Sequence, residues 1–289
     1  MALVNRLDGG IEQKMFVQKS HPAVGARITG IDLSGPITEG EAQQIRDAFT
    51  EHAVLCFPGQ KVTGEDQSRF ASLFGEVDTA SRVSENPDKK QSLRGVMYVS
   101  NIRENGQPIG VLPDGEMHFH SDGAHRSIPY RATTLFAIEV PSYGGDTKFA
   151  GLVKAFASLP KDMKKSIEGL KAKHVFNYNK TTREEMRQDD EDVAFAIHPL
   201  VKQHPNSGQK SIYLSRLMTR EIVGLEPEES ENLLLFLFDH CEQSQFVYSH
   251  KWTPGDLVIW DNRCVNHARS DFPGDQRRLL RRYTVSEPD

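Results

Sequence analysis

Three residues that could ligate a metal lie far apart in the sequence, and their types suggest a particular chemistry. His120 and Asp122 stand two residues apart in the segment MHFHSD, and His267 follows much later in WDNRCVNHARSDF. Successive side chains of an extended strand point to opposite faces, so His120 and Asp122 would project from the same face. Two imidazoles and one carboxylate on one face of an octahedral ion are typical of non-haem Fe(II) oxygenases. These residues therefore predict such a site.

The spacing alone does not identify which histidine of the first segment is the ligand. His118 lies two residues before His120, so strand alternation places both on the same face. An H-x-D pair also occurs by chance in many proteins. On the residues alone, the choice between His118 and His120 stays open.

The residues that precede His267 are expected to support it. Trp260, Asp261 and Asn262 end a hydrophobic strand, and we expect them to pack around and orient the segment that carries His267. Cys264 is close in sequence to His267, but we expect it to be a small buried residue and not a ligand.

A basic segment, RRLLRR, follows His267 and offers partners for anions. Strand alternation places Arg278 and Arg282 on one face, with about 13 Å between their α-carbons. A guanidinium is a planar cation that can hold a carboxylate through two parallel hydrogen bonds. The spacing therefore favours two arginines that serve different anionic groups. The alternative, from this segment alone, is a basic strand that faces solvent.

The composition is that of an ordinary globular protein, with 289 residues, 37% of them hydrophobic and 26% charged. The formal charge of −5 gives no sign of the basic patch that nucleic-acid binding requires. No apolar run approaches the ~20 residues of a membrane span. Three cysteines are too few for a disulfide framework, and the N-terminus lacks the apolar core of a signal peptide. We therefore expect a cytoplasmic protein.

Helices and strands can be predicted at several places. Thr38 and Glu41 form a capping box that predicts the start of a helix. Residues 226–241 have the clearest amphipathic helical pattern. The apolar run AVLCF at residues 53–57 predicts a buried strand.

Other segments lack such periodicity. Residues 75–94 predict a loop or lid, and the charged run at residues 180–192 is expected to be solvated. Many short strands with a few helices predict a mostly β fold with flanking helices, either a β-sandwich or a jelly roll. No linker or repeat interrupts the chain, so we expect a single domain over residues 1–289.

Seven segments together resemble the taurine dioxygenase / 2,4-dichlorophenoxyacetate dioxygenase (TauD/TfdA) family of Fe(II)- and 2-oxoglutarate-dependent oxygenases. The segments, in the family's order, are AVLCFPGQ, FGEV, FHSD, EVPSYGGDTKFA, HPLVKQHPNSGQKSIYLS, GDLVIWDNRCVNH and RRLLRRYTV. The resemblance implies a double-stranded β-helix (jelly roll) core, Fe(II) as the metal, and 2-oxoglutarate and O2 as cosubstrates. It also implies a homo-oligomer, either a dimer or a tetramer.

The resemblance also implies roles for particular residues. His120, Asp122 and His267 match the iron ligands, which favours His120 over His118.

Three further positions match residues that bind anions. Thr147 and Arg278 match the pair that holds the distal carboxylate of 2-oxoglutarate. A buried carboxylate without a partner is costly, so a cation at this end of the cosubstrate is physically reasonable. Arg282 matches an arginine that faces the anionic group of the substrate or the inner end of 2-oxoglutarate.

The resemblance implies hydroxylation of a small anionic substrate, with release of succinate and CO2, and the hydroxylated product can then be cleaved. Taurine-binding members carry a histidine near the position of Ala80 and an asparagine near that of Glu116, so taurine is not expected. Glu116 and His118 are candidates for the substrate pocket. Two alternatives come from other classes: a Zn(II)-dependent hydrolase and a non-catalytic jelly-roll binding protein.

Overall fold

A computed structural model describes residues 14–78, 95–111, 115–177, 180–187 and 193–287 of the chain. The helices are α1 (Glu39–His52), α2 (Gly64–Ala71), α3 (Leu152–Ser158), α4 (Lys161–Ile167), α5 (Arg183–Arg187) and α6 (Pro227–Cys241), with a 3₁₀ turn at Ser72–Phe74. The strands of the first half are β1 (Phe16–Lys19), β2 (Ala26–Thr29), β3 (Val54–Phe57), β4 (Met97–Ser100), β5 (Arg103–Glu104), β6 (Gln107–Pro108), β7 (Met117–His120), β8 (Tyr130–Glu139) and β9 (Thr147–Gly151). Those of the second half are β10 (Lys171–Val175), β11 (Phe195–Pro199), β12 (Val201–Gln203), β13 (Lys210–Ile212), β14 (Thr219–Ile222), β15 (Val247–His250), β16 (Leu257–Asp261), β17 (Val265–Arg269) and β18 (Leu279–Ser286).

The elements that were predicted most clearly are confirmed. In α1 the Thr38 hydroxyl accepts from the backbone N–H of Glu41 at 3.3 Å, and the Glu41 carboxylate accepts from the N–H of Thr38 at 2.8 Å. The apolar run at residues 53–57 contains the buried strand β3, and α6 covers nearly all of the amphipathic pattern. Local sequence signals were sufficient for these elements.

Two sheets dominate the fold. The first has seven strands in the order β1-β2-β3-β16-β8-β18-β4, and the second has four in the order β15-β9-β17-β7. Within them, the pairing of β2 with β3 is parallel and the other pairings are antiparallel. Smaller sheets join β11-β10-β14, β12-β13 and β5-β6. The chain is therefore mostly β with flanking helices, as predicted.

Strand alternation divides the apolar side chains among layers. On β16, Leu257 and Ile259 belong to a core that also contains residues of α1 and α2, so this face of the first sheet is covered by helices. Val258 and Trp260 point the other way, into a core shared with Phe149 of the second sheet. The outer side of the second sheet packs against α3 and α6. The two large sheets thus face each other across a common apolar layer.

The predictions for the less regular segments had mixed outcomes. Residues 79–94, which contain most of the predicted lid and Ala80, lie outside the described residues. The expectation that the charged run 180–192 is solvated is wrong at Arg183, which is 4% exposed at the start of α5 and pairs with Glu231 at 2.7 Å. None of the described helices is long and apolar enough to cross a membrane.

The central position of β16 leads to a stability prediction. Ile259 is completely buried, so Ile259→Ala should lower the free energy of unfolding by about 2–5 kcal/mol because it leaves a cavity between sheet and helices. Leu235→Ala on the exposed side of α6 is a matched control and should change it by less than about 0.5 kcal/mol. Urea unfolding of both variants measures the difference. Equal losses would contradict this layering of the core.

Candidate active site

Pairing between β7 and β17 brings the two candidate histidines together. His120 at the end of β7 lies directly opposite His267 of β17, and their ring centroids are 4.0 Å apart. Asp122 follows β7 by two residues, with its carboxylate oxygens 3.9 Å from His120 Nε2 and 3.8 Å from His267 Nε2. One donor atom from each of the three side chains lies within 4.8 Å of the other two. Two strands that are distant in sequence thus create one compact group of donors.

A bulge in β7 gives the two histidines of MHFHSD different surroundings. His267 pairs with His120 and Arg269 pairs with Met117, so three steps along β7 match two steps along β17. The extra residue changes the alternation, and Met117 and His120 both line the same cavity. Strict alternation, which would place His118 and His120 on one face, therefore does not hold along β7.

His118 is bound to a neighbouring segment. Its backbone N–H donates to the Thr181 carbonyl at 3.0 Å, and its Nδ1 accepts from the Arg183 N–H at 3.2 Å. Glu116 is exposed and lies 3.9 Å from His118 Nε2. Neither Glu116 nor His118 is among the described residues that line the cavity, so their assignment to the substrate pocket stays a prediction.

The Asp122 carboxylate is buried and fully engaged. Its Oδ1 lies 2.8 Å from Arg282 Nη2, and its Oδ2 accepts from the Thr133 hydroxyl at 2.7 Å. Burial by itself would raise the pKa of this carboxyl, but the net effect, led by the Arg282 guanidinium and aided by the hydrogen bond from Thr133, holds the pKa below its usual range. Asp122 is therefore ionised at neutral pH.

The two histidines are neutral at the same pH. Burial lowers the pKa of His120, and burial together with the adjacent His120 lowers the pKa of His267 well below its usual value. The Nδ1 of His120 lies 3.0 Å from the His118 carbonyl, so it carries the proton and leaves a lone pair on Nε2. A neutral imidazole with a free Nε2 lone pair is a good metal ligand.

A hydrogen-bond network around Asn262 supports the group formed by His120, Asp122 and His267. Asn262 accepts from the backbone N–H of Asp122 at 3.3 Å and from Trp260 Nε1 at 3.0 Å, and its amide donates to Thr133 at 3.0 Å. The Trp260 ring also packs 4.6 Å from the ring of His267. Trp260 and Asn262 thus contact the candidate ligands, as expected from the sequence. Thr133, on β8, was not foreseen because an isolated threonine in a strand carries no chemical signal.

Asp261 and Cys264 belong to a different group. Asp261 accepts from the backbone N–H of Arg263 at 3.0 Å and from its Nε at 2.8 Å, so it helps to hold the segment that carries His267, as expected. It also lies 3.0 Å from His204 Nε2. Cys264 is buried beside the same two side chains, Asp261 and His204. This group is separate from His120, Asp122 and His267, and Cys264 is a buried residue as predicted.

The three predicted anion-binding residues line the same cavity as the histidines. The cavity has a volume of about 250 Å³ and contains Thr147 at the start of β9, Arg278 just before β18 and Arg282 within it. Arg278 is 2% exposed, and its Nε and Nη1 have no hydrogen-bond partner in the described part of the chain. Burial, with a smaller contribution from the charge of Arg269, lowers the pKa of Arg278 to about 9, so it still carries its charge at neutral pH. The site thus contains a buried cation able to receive an anion.

The rest of the cavity wall is partly cationic and partly apolar. Two arginines, Arg126 and Arg269, were not foreseen as cavity residues; Arg269 lies two residues after His267 on β17, a spacing that could have indicated it. The apolar part of the wall comprises Met97, Val99, Val111, Met117, Leu135, Phe176 and Met218. This composition suits an anionic molecule with an apolar portion.

The support of Asp122 by Thr133 gives a testable prediction for metal binding. Thr133→Val keeps the shape of the side chain but removes the hydroxyl that donates to Asp122, so Mn(II) should bind about 10–100-fold more weakly. Thr134→Val is the matched control, because the Thr134 hydroxyl lies 3.4 Å from the Tyr283 carbonyl and does not contact Asp122. Calorimetric titration with Mn(II) measures both. Equal weakening in the two variants would contradict the role assigned to Thr133.

Comparison with known proteins shows which family the chain belongs to. Residues 17–284 match the family model described as "Taurine catabolism dioxygenase TauD, TfdA family". The chain is 33% identical over 282 residues to pentalenolactone F synthase of Streptomyces avermitilis, with 91% of each chain covered. It is also 33% identical over 265 residues to (S)-phenoxypropionate/alpha-ketoglutarate-dioxygenase of Sphingobium herbicidovorans, with 89% of each covered.

A solved structure extends the comparison to the fold. The crystal structure of AAD-2 in complex with Mn(II) and N-oxalylglycine, a 2-oxoglutarate analogue, superimposes with a TM-score of 0.78 at 31% identity, covering 96% of this chain and 98% of that one. The match covers nearly the whole of both chains, so it includes the strands that carry the candidate site. The chain therefore belongs to the TauD/TfdA family and is an alpha-ketoglutarate (2-oxoglutarate)-dependent dioxygenase.

Proposed function

We propose that this enzyme hydroxylates a small anionic organic substrate with Fe(II), 2-oxoglutarate and O2, and that succinate and CO2 are released. The proposal rests on one observation: His120, Asp122 and His267 meet in a cavity that also contains Arg278, a buried cation with two nitrogens that lack partners among the described residues. A metal hydrolase would need the three donors but has no evident use for Arg278. The comparisons support neither the hydrolase nor the binding protein.

The three donors fit Fe(II). Two neutral imidazoles and an ionised carboxylate on one side of a cation leave three positions open for other ligands. When bound, iron supplies the activation of O2, which no side chain of the chain can provide. The protein's part is to fix the donors, and the network of Thr133 and Asn262 does this for Asp122. Rigid support of this kind matters because weakly held ligands reduce metal affinity.

We assign Thr147 and Arg278 to the distal carboxylate of 2-oxoglutarate. The guanidinium of Arg278 is buried, and in the part of the chain that the structure describes its Nε and Nη1 have no hydrogen-bond partner. A charged donor in this state gains much from an acceptor of opposite charge. The Thr147 hydroxyl, 3% exposed in the same cavity, can add a further hydrogen bond. Together they orient the keto acid with its reactive end toward the histidines.

Arg282 is assigned to the second anionic group at the site, either the substrate's or the inner carboxylate of 2-oxoglutarate. It neutralises Asp122 through Nη2, while its Nε has no partner among the described residues. Arg282 therefore retains donors for another anion close to the metal ligands. The relative named for phenoxypropionate, a carboxylate, supports an anionic substrate for this chain as well.

We also propose a fold, an oligomeric state and a cellular location for the whole molecule. The two large facing sheets support a double-stranded β-helix, or jelly roll, within a single domain over residues 1–289. From the family we also infer a homo-oligomer, a dimer or a tetramer, that acts in the cytoplasm on a small molecule.

The metal assignment can be tested by comparing the two histidines of β7. With Fe(II) and 2-oxoglutarate in the absence of oxygen, the wild type should develop a weak visible charge-transfer band. His120→Ala and Asp122→Ala should lose it, whereas His118→Ala, the matched control, should keep it because His118 Nδ1 is bound to the Arg183 N–H and His118 is not among the described residues that line the cavity.

The same samples then test turnover. On admission of oxygen and a panel of small carboxylates and sulfonates, the wild type and His118→Ala should release succinate, while His120→Ala and Asp122→Ala should not. Loss of the band in both histidine variants would refute the assignment of His120 over His118. Activity with zinc and no consumption of 2-oxoglutarate would refute the proposed reaction.

The assignment of Arg278 predicts opposite effects on stability and binding. Arg278→Met removes a buried cation without a full set of partners, so the protein without ligand should melt at the same temperature as the wild type or higher. With Mn(II) and N-oxalylglycine at about 100 times the dissociation constant, the wild type should gain about 2.7 kcal/mol, and the variant should lose most of this gain. Thermal unfolding measures both effects.

The neighbouring arginine is the control for this experiment. Arg277 is exposed and pairs with Glu139 at 2.7 Å on the opposite face of the segment. Arg277→Met should therefore retain the full stabilisation by N-oxalylglycine. If both variants kept it, Arg278 would not bind the distal carboxylate.

A further inference from the structure

A tryptophan outside the predicted site contacts the threonine assigned to 2-oxoglutarate. Thr147 begins β9, and its register partner on β15 is His250. Trp252 follows His250 by two residues, and its indole Nε1–H donates to the Thr147 hydroxyl oxygen at 2.9 Å. The contact therefore arises from strand pairing and is built into the edge of the second sheet.

The chemistry of the two groups determines the direction of this hydrogen bond. An indole N–H can donate but cannot accept, so the Thr147 oxygen must be the acceptor and its own proton must point elsewhere. The guanidinium of Arg278 lies close by, since a Cβ at Gly145, two residues before Thr147, would be 3.5 Å from Arg278 Nε. Guanidinium is also a donor only. Neither neighbour can take the Thr147 proton.

A carboxylate has the complementary property, because in its ionised form it only accepts hydrogen bonds. With Trp252 donating to its oxygen, the Thr147 hydroxyl is left to donate, which is the orientation that a carboxylate requires. Without the indole N–H, the hydroxyl could rotate and present its lone pairs to the anion.

Trp252 is itself held in place. Its ring meets the His250 ring edge-on, with centroids 4.7 Å apart and an interplanar angle of 88°. His250 is 4% exposed; its Nδ1 lies 3.1 Å from the Tyr248 hydroxyl and its Nε2 lies 3.2 Å from Asp256 Oδ2. The indole is thus oriented by a buried cluster, independently of any ligand.

We propose that Trp252 is a positioning residue for 2-oxoglutarate: its indole N–H fixes the Thr147 hydroxyl as a donor to the distal carboxylate. The proposal rests on the role assigned above to Thr147 and Arg278. Trp252 does not touch the reacting atoms, so its effect is on the binding of the keto acid and not on the reaction of the bound complex.

The variant Trp252→Phe tests this because it keeps an aromatic ring and removes the indole N–H donor. The dissociation constant of N-oxalylglycine for the Mn(II)-loaded protein should rise about 3- to 10-fold, the range expected for loss of one neutral hydrogen bond. Isothermal titration calorimetry measures it. In turnover, KM for 2-oxoglutarate should rise by a similar factor while kcat at saturating 2-oxoglutarate stays close to that of the wild type.

A double-mutant cycle with Thr147→Val separates positioning from packing. Thr147→Val alone should weaken N-oxalylglycine binding, and adding Trp252→Phe to it should have no further effect, because the hydroxyl to be oriented is gone. If Trp252→Phe weakens binding equally in both backgrounds, the indole acts by packing and the proposal is overturned.

Two further outcomes distinguish a failure of the role of Trp252 from a failure of the role assigned to Thr147. If Thr147→Val weakens binding and Trp252→Phe does not, this inference fails and the proposed function stands. If Thr147→Val leaves binding unchanged, the assignment of Thr147 fails and this inference with it. As a ligand control, 2-oxobutyrate, a keto acid without a distal carboxylate, should bind the wild type and Trp252→Phe equally; a difference would also overturn the proposal.

Discussion

The structure of this site depends on the burial of one negative charge, the carboxylate of Asp122. A buried carboxylate is costly unless it is paired and hydrogen-bonded. Here Arg282 and Thr133 meet that requirement, and Asp122 stays ionised although it is 6% exposed. The carboxylate can therefore be part of a candidate cation-binding group, and strands from both large sheets contribute to that group and its hydrogen-bond partners.

The buried positive charge of Arg278, unlike the negative charge of Asp122, is not fully paired within the described part of the chain. Arg278 is buried with two nitrogens that have no partner in the described residues, and Arg269 lies close enough to lower its pKa. Such an arrangement reduces the stability of the protein alone, but it favours the binding of an anion that completes the hydrogen bonds. The cavity thus contains an ionised carboxylate that suits a metal cation and a separate, incompletely satisfied guanidinium that suits an anion.

The rigidity of the site comes from the sheets. The candidate ligands His120 and His267 lie on paired strands of the second sheet, while Asn262 follows β16, a central strand of the first sheet. Trp260 belongs to the apolar layer between the sheets and also contacts His267 and Asn262. One side chain therefore both packs in the core and supports the candidate site. Elements built this way hold ligands more precisely than free loops can.

Much of the local structure could be predicted from the sequence, because its causes are local. The capping box of α1, the amphipathic pattern of α6 and the apolar run of β3 each depend on neighbouring residues. The residue types of the candidate metal group, and the arginines that follow it, were also evident without the fold. These features require only propensity, periodicity and the chemistry of individual side chains.

The tertiary structure decided which of these residues meet. A bulge in β7, caused by the register with β17, placed His120 in the cavity and left His118 in contact with residues 181 and 183, a result that simple alternation predicts wrongly. The contacts of Thr133 with Asp122 and of Trp252 with Thr147 likewise depend on pairing between distant strands. Register is a property of two strands together, and a one-residue shift changes the face of every following side chain, so no single segment contains that information.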